Sequence, residues 1–244
     1  MTRRRWIADE VNGDTAALVG EHALHLARVL RAEVGQEFDI ATGDAVRHGE
    51  ITAISSDRVE FALGEEQVVR PAPLVTIVLA IFKFDRMEWV IEKCTEIGVD
   101  RIVPVIACRT DAHLGSAAQK RHERWQRIAR QAAEQSRRAA PPEIVAPVKL
   151  KDMGAVLLSG RPEAGATVGR IVLAECEDET RLRDALQASA TEVALAVGPE
   201  GGWVDDELKW FRESGWVAAS LGSTILRAET AAIVAAALAM DALR

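Results

Sequence analysis

Three loops late in the chain carry residue types that can hold a ligand through the protein backbone. They are residues 173–177 (LAECE), 197–203 (VGPEGGW) and 221–230 (LGSTILRAET), and each follows a short apolar run. Gly198, Gly201 and Gly202 have no side chain, so a ligand can approach the backbone N–H and C=O groups closely, which suits the edge of an adenine ring. A single loop of this kind is most often an ordinary turn. Three in succession favour a binding site.

The elements that must position these loops alternate between strand and helix. Apolar runs without alternation predict strands that are covered on both faces, as in an α/β domain with a parallel sheet. The predicted strands are 74–81, 102–106, 171–175, 193–198 and 217–221, and the predicted helices are 86–98, 118–138, 180–189, 204–214 and 228–242. In open α/β sheets the ligand crevice lies outside the carboxyl ends of the strands. We therefore expect the three loops to meet there.

The first 70 residues have a different rhythm. Residues 58–63 (RVEFAL) alternate strictly between apolar and polar types, which predicts a half-buried strand. Residues 35–40 and 46–54 predict two more strands joined by a turn at 42–44, and residues 22–31 have the spacing of a helix. These features predict a small β-rich barrel with one helix, and the proline-rich stretch at 70–73 predicts the boundary after it.

Composition sets further limits. The 244 residues are 48% hydrophobic and 27% charged, which excludes a disordered chain. The 30 basic and 37 acidic residues give a net charge of −7, which excludes a protein that is basic throughout but leaves room for a local basic surface. The longest apolar runs, 74–82 and 231–240, fall short of the ~20 residues that span a bilayer. We expect a cytoplasmic protein with no membrane contact.

Several common enzyme motifs are absent from the sequence. It contains no GxGxxG after the first predicted strand of the second region, no GxxxxGK[ST] and no GxSxG, which argues against a dinucleotide site, a P-loop and a serine nucleophile elbow. It also contains no CxxC and no HExxH, so no metal site is expected. We interpret the three cysteines, Cys94, Cys108 and Cys176, as core residues.

Taken together, the motifs resemble the RsmE branch of the SPOUT superfamily over nearly the whole chain. The matching segments are 25–31 (HLARVLR), 83–88 (KFDRME), 92–98 (EKCTEIG), Trp125 with 133–137 (AEQSR), 197–202 (VGPEGG) and 221–231 (LGSTILRAETA). Ser223 and Thr224 depart from the Pro-Arg pair that many relatives carry at these positions. Members of that branch methylate N3 of a uridine in bacterial 16S ribosomal RNA and use S-adenosyl-L-methionine.

The resemblance implies an architecture and a set of partners. It implies a PUA-like RNA-binding β-barrel over residues 1–70 and a SPOUT-type, trefoil-knotted α/β methyltransferase domain with a parallel sheet over residues 74–244. It also implies a homodimer whose active sites lie at the subunit interface, with the 16S RNA of the small ribosomal subunit as substrate. Another RNA, such as transfer RNA or a different ribosomal position, is the alternative target within the same interpretation.

Methylation at N3 of uracil requires the base to lose a proton, and the resemblance places Arg227 beside the cofactor. If the N3 pKa lies about two units above ambient pH, ionisation costs ~3 kcal/mol, which a nearby guanidinium can supply in a dry site. Arg227 is therefore the first catalytic candidate, with Glu229 either orienting it or receiving the proton. The alternative is a structural ion pair at the start of the last helix, where a glutamate also suits the helix dipole.

The resemblance also assigns the cofactor-binding residues, which belong to the three loops. They are Leu173, Glu175, Val197, Gly198, Glu200, Gly201, Gly202, Leu221, Gly222, Ile225, Leu226 and Arg227.

Local basic patches are the candidates for RNA contact. Residues 119–138 hold seven basic and two acidic side chains, an excess of one sign that attracts phosphates, although a charged helix face is usually only solvated. Trp6, which follows three arginines, either stacks on a base or fills the barrel. Arg137 can alternatively reach the partner's active site in the family's dimer. The predicted RNA-binding residues are Arg3, Arg4, Arg5, Arg28, Arg31, Lys83, Arg86, Arg124, Arg127 and Arg137.

Two other function classes compete with this interpretation. A non-catalytic RNA-binding protein would need the barrel and the basic patches, but it would not need three loops at strand ends. A small-molecule enzyme with a nucleotide cofactor suits the acidic total, but it leaves the basic helix unexplained. Binding of S-adenosylmethionine together with RNA separates a methyltransferase from both.

Overall fold

The computed structural model describes residues 5–43, 45–67, 73–158, 168–186 and 192–243. These residues form two compact units. The first holds the described residues up to 67 together with Ala133–Pro141, and the second holds the rest. Arg3, Arg4, Asp44 of the predicted turn and most of the predicted boundary at 70–73 lie outside the described residues.

Six strands build the sheet of the first unit. They are β1 (Arg5–Ile7), β2 (Glu10–Asn12), β3 (Thr15–Val19), β4 (Glu37–Ala41), β5 (Val46–Ile54) and β6 (Arg58–Gln67). They lie in the order β1-β4-β5-β6-β3-β2, and every neighbouring pair is antiparallel except β1 with β4. The predicted strands at 46–54 and 58–63 are confirmed, and the latter continues to Gln67.

One segment, residues 5–12, forms both edges of this sheet. Its first half pairs with β4 and its second half with β3, and the change of partner is made by Ala8, which donates to Ala41 O at 2.9 Å, and Asp9, which donates to Ala17 O at 2.9 Å. The sheet therefore closes on itself as a barrel, and an apolar core fills it. The core side chains include Trp6, Leu18, Leu26, Ile40, Ile51 and Phe61.

The helix predicted at 22–31 forms in two parts. An α-helical turn, α1 (Glu21–Leu24), continues as a π-helical stretch over His25–Val29. Arg31 then adopts a left-handed backbone with φ 52°, which ends the helical run.

The second unit contains a seven-stranded sheet in which all pairs are parallel. Its strands are β7 (Leu74–Ala80), β8 (Arg101–Ile106), β9 (Glu143–Ile144), β10 (Val148–Lys149), β11 (Val168–Leu173), β12 (Glu192–Val197) and β13 (Val217–Ala219). They lie in the order β10-β8-β7-β12-β11-β13, and β9 pairs with β8. The predicted α/β architecture with a parallel sheet is confirmed, whereas the trefoil knot stays a prediction.

Helices accompany both faces of this sheet. They are α2 (Phe84–Ile97), α3 (Ala112–Ala117), α4 (His122–Gln135), α5 (Met153–Leu158), α6 (Leu182–Ala185), α7 (Asp205–Glu213) and α8 (Ala228–Ala242), with 3-10 turns over Ala118–Arg121 and Leu150–Asp152. Alternate residues of β7 belong to two different apolar cores. Ile77 and Leu79 belong to the core with α2 and α8, and Val78 belongs to the core that contains Phe211 and Trp216.

Some sequence-based predictions were wrong in detail. The helix predicted over 118–138 begins as a 3-10 turn, and α4 ends at Gln135, before Arg137 adopts a left-handed backbone with φ 61°. The helix predicted over 180–189 is described only over Leu182–Ala185. Cys94 is buried as predicted, but Cys108 and Cys176 are exposed because both lie in loops that follow strand ends.

Two kinds of feature are absent from the described residues. None of their helices is both long and apolar enough to cross a membrane. No group of three or more His, Cys, Asp or Glu side chains among them is placed to hold a metal ion.

Candidate functional site

The three loops meet at one cavity in the second unit. Its volume is about 760 Å³, within the range of small-molecule and cofactor sites. The loops follow β11, β12 and β13, which with β7 form one side of the parallel sheet, so their carboxyl ends share an edge. All twelve residues predicted to bind the cofactor line this cavity, and Lys83 and Arg86 line it too.

Trp203 joins two of these loops. Its indole Nε1 donates to the backbone oxygen of Leu173 at 3.1 Å, and its ring is buried against Phe211. Gly198 lies against the same ring, where an added Cβ would be 3.2 Å from Trp203 Nε1. A side chain at position 198 would press against the buried indole and require it to shift.

The loop over 221–230 also depends on its glycine. Gly222 has φ 134°, a conformation that L side chains rarely adopt. The chain then exposes Ile225, whose side chain lines the cavity although it is 80% exposed. Ser223 and Thr224, which replace the Pro-Arg pair of many relatives, line the cavity as well.

Sequence reasoning missed a fourth loop, which follows β8. Arg109 lines the cavity and donates from Nη1 to the backbone oxygen of Gly201. The buried Glu207 ties this loop to the glycine loop, because its carboxylate accepts from Cys108 N at 2.7 Å and from Val204 N at 3.0 Å. The sequence could have indicated this loop, because 102–106 was predicted as a strand of the parallel sheet. The carboxyl end of such a strand lies at the same edge of the sheet as those of the other strands.

Two arginines and two glutamates form an ionic cluster at the cavity. Arg86 Nη1 lies 2.7 Å from Glu200 Oε1 and 3.6 Å from Glu229 Oε1. Arg227 Nη1 lies 4.0 Å from the same Glu229 oxygen. Both arginines and Glu200 line the cavity, whereas the buried Glu229 does not. The structure thus brings together the two predicted catalytic residues, and it adds Arg86, which had been predicted only to contact RNA.

The basic helix α4 is less available to RNA than its sequence indicates. Arg124 forms a two-point ion pair with Glu88, at 2.6 Å and 2.8 Å, and these hydrogen bonds raise the pKa of Arg124. Arg121 lies 4.9 Å from the centre of the Phe84 ring in a cation–π contact. Trp125 is buried, and Arg127 is exposed.

In the first unit, two of the predicted RNA contacts are engaged internally. Arg5 donates to the backbone oxygen of Arg137 and lies 4.0 Å from Asp39 Oδ2, so its guanidinium is mostly buried. Trp6 fills the barrel core, and the base-stacking interpretation of its ring is therefore wrong. Arg28, Arg31 and the side chain of Arg137 are exposed.

Comparisons with known proteins identify the family. Residues 70–240 match the family model of the RNA methyltransferase domain. The chain is 34% identical over 231 residues to ribosomal RNA small subunit methyltransferase E of Mycobacterium tuberculosis, covering 91% of this chain and 85% of that protein. It is 33% identical to the enzyme of the same name from Synechocystis, covering 91% and 72% of the two chains. This chain belongs to the ribosomal RNA small subunit methyltransferase E family.

Solved structures agree with this assignment. The methyltransferase E of Neisseria gonorrhoeae, bound to S-adenosyl methionine, matches with a TM-score of 0.81 and 28% identity, over 96% of this chain and 95% of that one. A Legionella pneumophila protein described as a methyltransferase, in complex with the bound cofactor SAM, matches with a TM-score of 0.83 and 29% identity, over 99% and 98%. The recognition of the family from its loops is therefore confirmed, and the chain is an RNA methyltransferase.

Proposed function

We propose that this protein transfers the methyl group of S-adenosyl-L-methionine to N3 of one uridine in the 16S RNA of the small ribosomal subunit. The observation that carries the proposal is the convergence of all twelve predicted cofactor-binding residues on one cavity, in a chain of the methyltransferase E family. The product would be 3-methyluridine, with release of S-adenosylhomocysteine.

The cavity suits this cofactor chemically. Gly198, Gly201 and Gly202 line the cavity without side chains, so an adenine ring could approach the backbone closely, while Gly201 O already accepts from Arg109 and Gly202 N donates to Pro199 O at 2.8 Å. Leu173, Val197, Leu221 and Leu226 supply apolar walls. Charged side chains of both signs line the same space, as a ligand with both an ammonium and a carboxylate requires. They are Lys83, Arg86, Arg109, Arg227, Glu175, Asp178, Glu200 and Asp205.

The protein must make N3 of the base nucleophilic and hold it in line with the methyl group. The bound cofactor supplies an electrophilic methyl group on a sulfonium. With the cofactor bound, uracil N3 would give up its proton, to solvent or to Glu229, and its lone pair would take the methyl group while the electrons of the S–C bond stay with the departing sulfur. Arg227 stabilises the negative charge that develops on the base carbonyls, and Glu229 orients Arg227.

The first unit is proposed to bind the RNA as a PUA-like domain. Arg28, within the π-helical stretch, and Arg31, two residues after it, support this role because both are exposed. Such contacts attract phosphates through charge and give an affinity that falls with salt. The site of action would be the cytoplasm, where small subunits are assembled.

A homodimer is part of the proposal. Helix α8 is apolar almost all round, and Val234 and Leu238 lie exposed one turn apart on its outer side. Trp89 of α2 is also exposed. Exposed apolar side chains on neighbouring helices are typical of an interface, and Ile225 would place part of the cavity wall near it.

The test is methyl transfer from labelled S-adenosylmethionine to small subunits that lack this modification, followed by nucleoside mass spectrometry. We expect 3-methyluridine, with turnover reduced at least about tenfold in Arg227→Ala while cofactor binding stays measurable. Arg183→Ala, in an exposed residue outside the cavity lining, is the control. Cofactor binding without label in ribosomal RNA would refute the substrate, and transfer RNA would be tested next. Unchanged turnover in Arg227→Ala would remove that residue from the mechanism.

A further inference from the structure

Arg86 is positioned by ion-pair contacts with two glutamates, whereas an arginine that only attracts phosphates extends freely into solvent. It lies in the first turn of α2, its side chain is 29% exposed, and Nη1 contacts Glu200 at 2.7 Å and Glu229 at 3.6 Å. These carboxylates come from two other elements, the loop after β12 and the start of α8. A guanidinium fixed from two sides has lost its freedom to follow a flexible RNA backbone, and it is preorganised to meet a ligand in a defined position.

Glu229 connects this guanidinium with that of Arg227. Its side chain is 6% exposed, and the same atom, Oε1, lies 3.6 Å from Arg86 and 4.0 Å from Arg227. Its other oxygen is buried and has no hydrogen-bond partner in the described part of the chain. Both arginines line the cavity and Glu229 does not, so one buried carboxylate lies within ion-pair distance of two cavity-lining guanidinium groups, of which Arg86 is 29% exposed and Arg227 is 75% exposed.

We propose that Arg86 is a catalytic residue, and that Arg86 and Arg227 together bind the two carbonyl oxygens that flank N3 of the target uracil. This inference rests on the proposed function. When N3 loses its proton, the negative charge spreads over O2, N3 and O4, so two guanidinium groups match the anion better than one.

The same pair would select the base. Uracil presents two acceptors beside N3, whereas cytosine presents an amino donor in place of O4. A guanidinium has only donors, so a cytosine in the site would leave one arginine facing another donor. Arg86 and Arg227 therefore favour a base with two carbonyl groups around an acidic N–H.

The test compares uridine with 5-fluorouridine in the substrate RNA. Fluorine at C5 withdraws electrons and lowers the pKa of N3, so the base anion needs less help from the protein. Small subunits are reconstituted with either RNA, and kcat/KM for methyl transfer is measured for wild type, Arg86→Gln, Arg86→Lys and the control Arg183→Gln. We expect Arg86→Gln to lose about 100-fold on uridine and to regain most of that loss on 5-fluorouridine. Arg86→Lys should lose less, and Arg183→Gln should match the wild type on both.

The alternative role for Arg86 is structural, as part of an ion-pair cluster. It predicts the same fractional loss on both RNAs, and that result would overturn the proposal. If Arg86→Gln does not fold, the ratio of Arg86→Lys to wild type on the two RNAs decides in the same way. Wild-type transfer to uridine shows that the proposed function holds independently of Arg86. Its absence would refute that function and this inference with it.

Discussion

The two units place their strand ends differently, and this explains why one has a cavity ready for a ligand. In the first unit nearly all neighbouring strands run antiparallel, so carboxyl ends alternate between the two ends of the barrel. In the second unit every pair is parallel, so all carboxyl ends reach one edge. Loops from five strands, β7, β8, β11, β12 and β13, can then contribute to a single cavity, whereas the exposed arginines of the first unit form a surface.

The largest effect in the second unit is expected from Gly198→Val. The new side chain would collide with the buried indole of Trp203, whose Nε1 would lie only 3.2 Å from the added Cβ, and would break the link from Trp203 to Leu173. Overpacking costs about 1–3 kcal/mol, which corresponds to about a 5- to 150-fold loss of cofactor affinity, measured by calorimetry with S-adenosylmethionine.

Gly154→Val is the matched control, because an added Cβ at Gly154 meets nothing within 4 Å. We expect its cofactor affinity to equal that of the wild type. Equal losses in the two variants would mean that the glycine loop has no special role in holding the cofactor.

Substitution of a glycine in the first unit is expected to lower stability without changing cofactor affinity. An added Cβ at Gly49 would be 2.4 Å from Ile40 Cγ1 inside the barrel. Gly49→Ala should therefore lower the free energy of unfolding of the first unit by about 1–3 kcal/mol, measured by hydrogen exchange of β4 and β5. Cofactor affinity should not change, since the cavity is lined by second-unit residues only.

Gly64→Ala in the same barrel serves as the comparison, because its Cβ would be 3.7 Å from His48 and needs no movement. A loss of cofactor affinity in Gly49→Ala alone would contradict the separation of roles between the two units.

The smallest effect concerns cysteine reactivity. Burial raises the pKa of the Cys94 thiol to about 12, so it stays protonated and shielded in the folded protein, whereas Cys108 and Cys176 are exposed. Iodoacetamide at pH 8 should alkylate Cys108 and Cys176 and leave Cys94 unmodified, as read by peptide mass spectrometry. All three should react after unfolding.

The raised pKa of Cys94 also predicts how the stability of the folded protein changes with pH. The unfolded thiol, with its ordinary value of 9.0, releases its proton first, so the contribution of Cys94 to stability declines between about pH 9 and pH 12. Alkylation of Cys94 in the native state would instead show that the core beneath α2 opens readily.

The sequence was sufficient to predict the elements whose residues form a recognisable local pattern. Unbroken apolar runs predicted β7, β8, β11, β12 and the three-residue β13 of the parallel sheet, and strict alternation predicted β6. Short elements such as β9, β10 and α3 were missed because two to six residues do not display a period. The cavity followed from a general rule about strand ends, applied to three loops.

Sequence patterns could not predict the ion pairs and hydrogen bonds that arginines form with residues far away along the chain. The sequence places Arg5 in a basic tail, yet it pairs with Asp39 and the backbone of Arg137. The sequence also indicates a phosphate contact for Arg124, yet Glu88 holds it. Arg86 and Arg109 acquire their places from partners 92 to 143 residues away along the chain.

Because residues 133–141 belong to the first unit, part of that unit is synthesised only after several elements of the second. Ala133 packs in a cluster with Ile7, Ala41 and Val46, all of which leave the ribosome much earlier. This cluster, unlike the barrel sheet itself, therefore stays incomplete until synthesis has passed β7, α2 and β8 of the other unit. A fragment that stops at residue 71 would lack this packing, so the first unit is completed only after β7, α2 and β8 of the second unit have been synthesised.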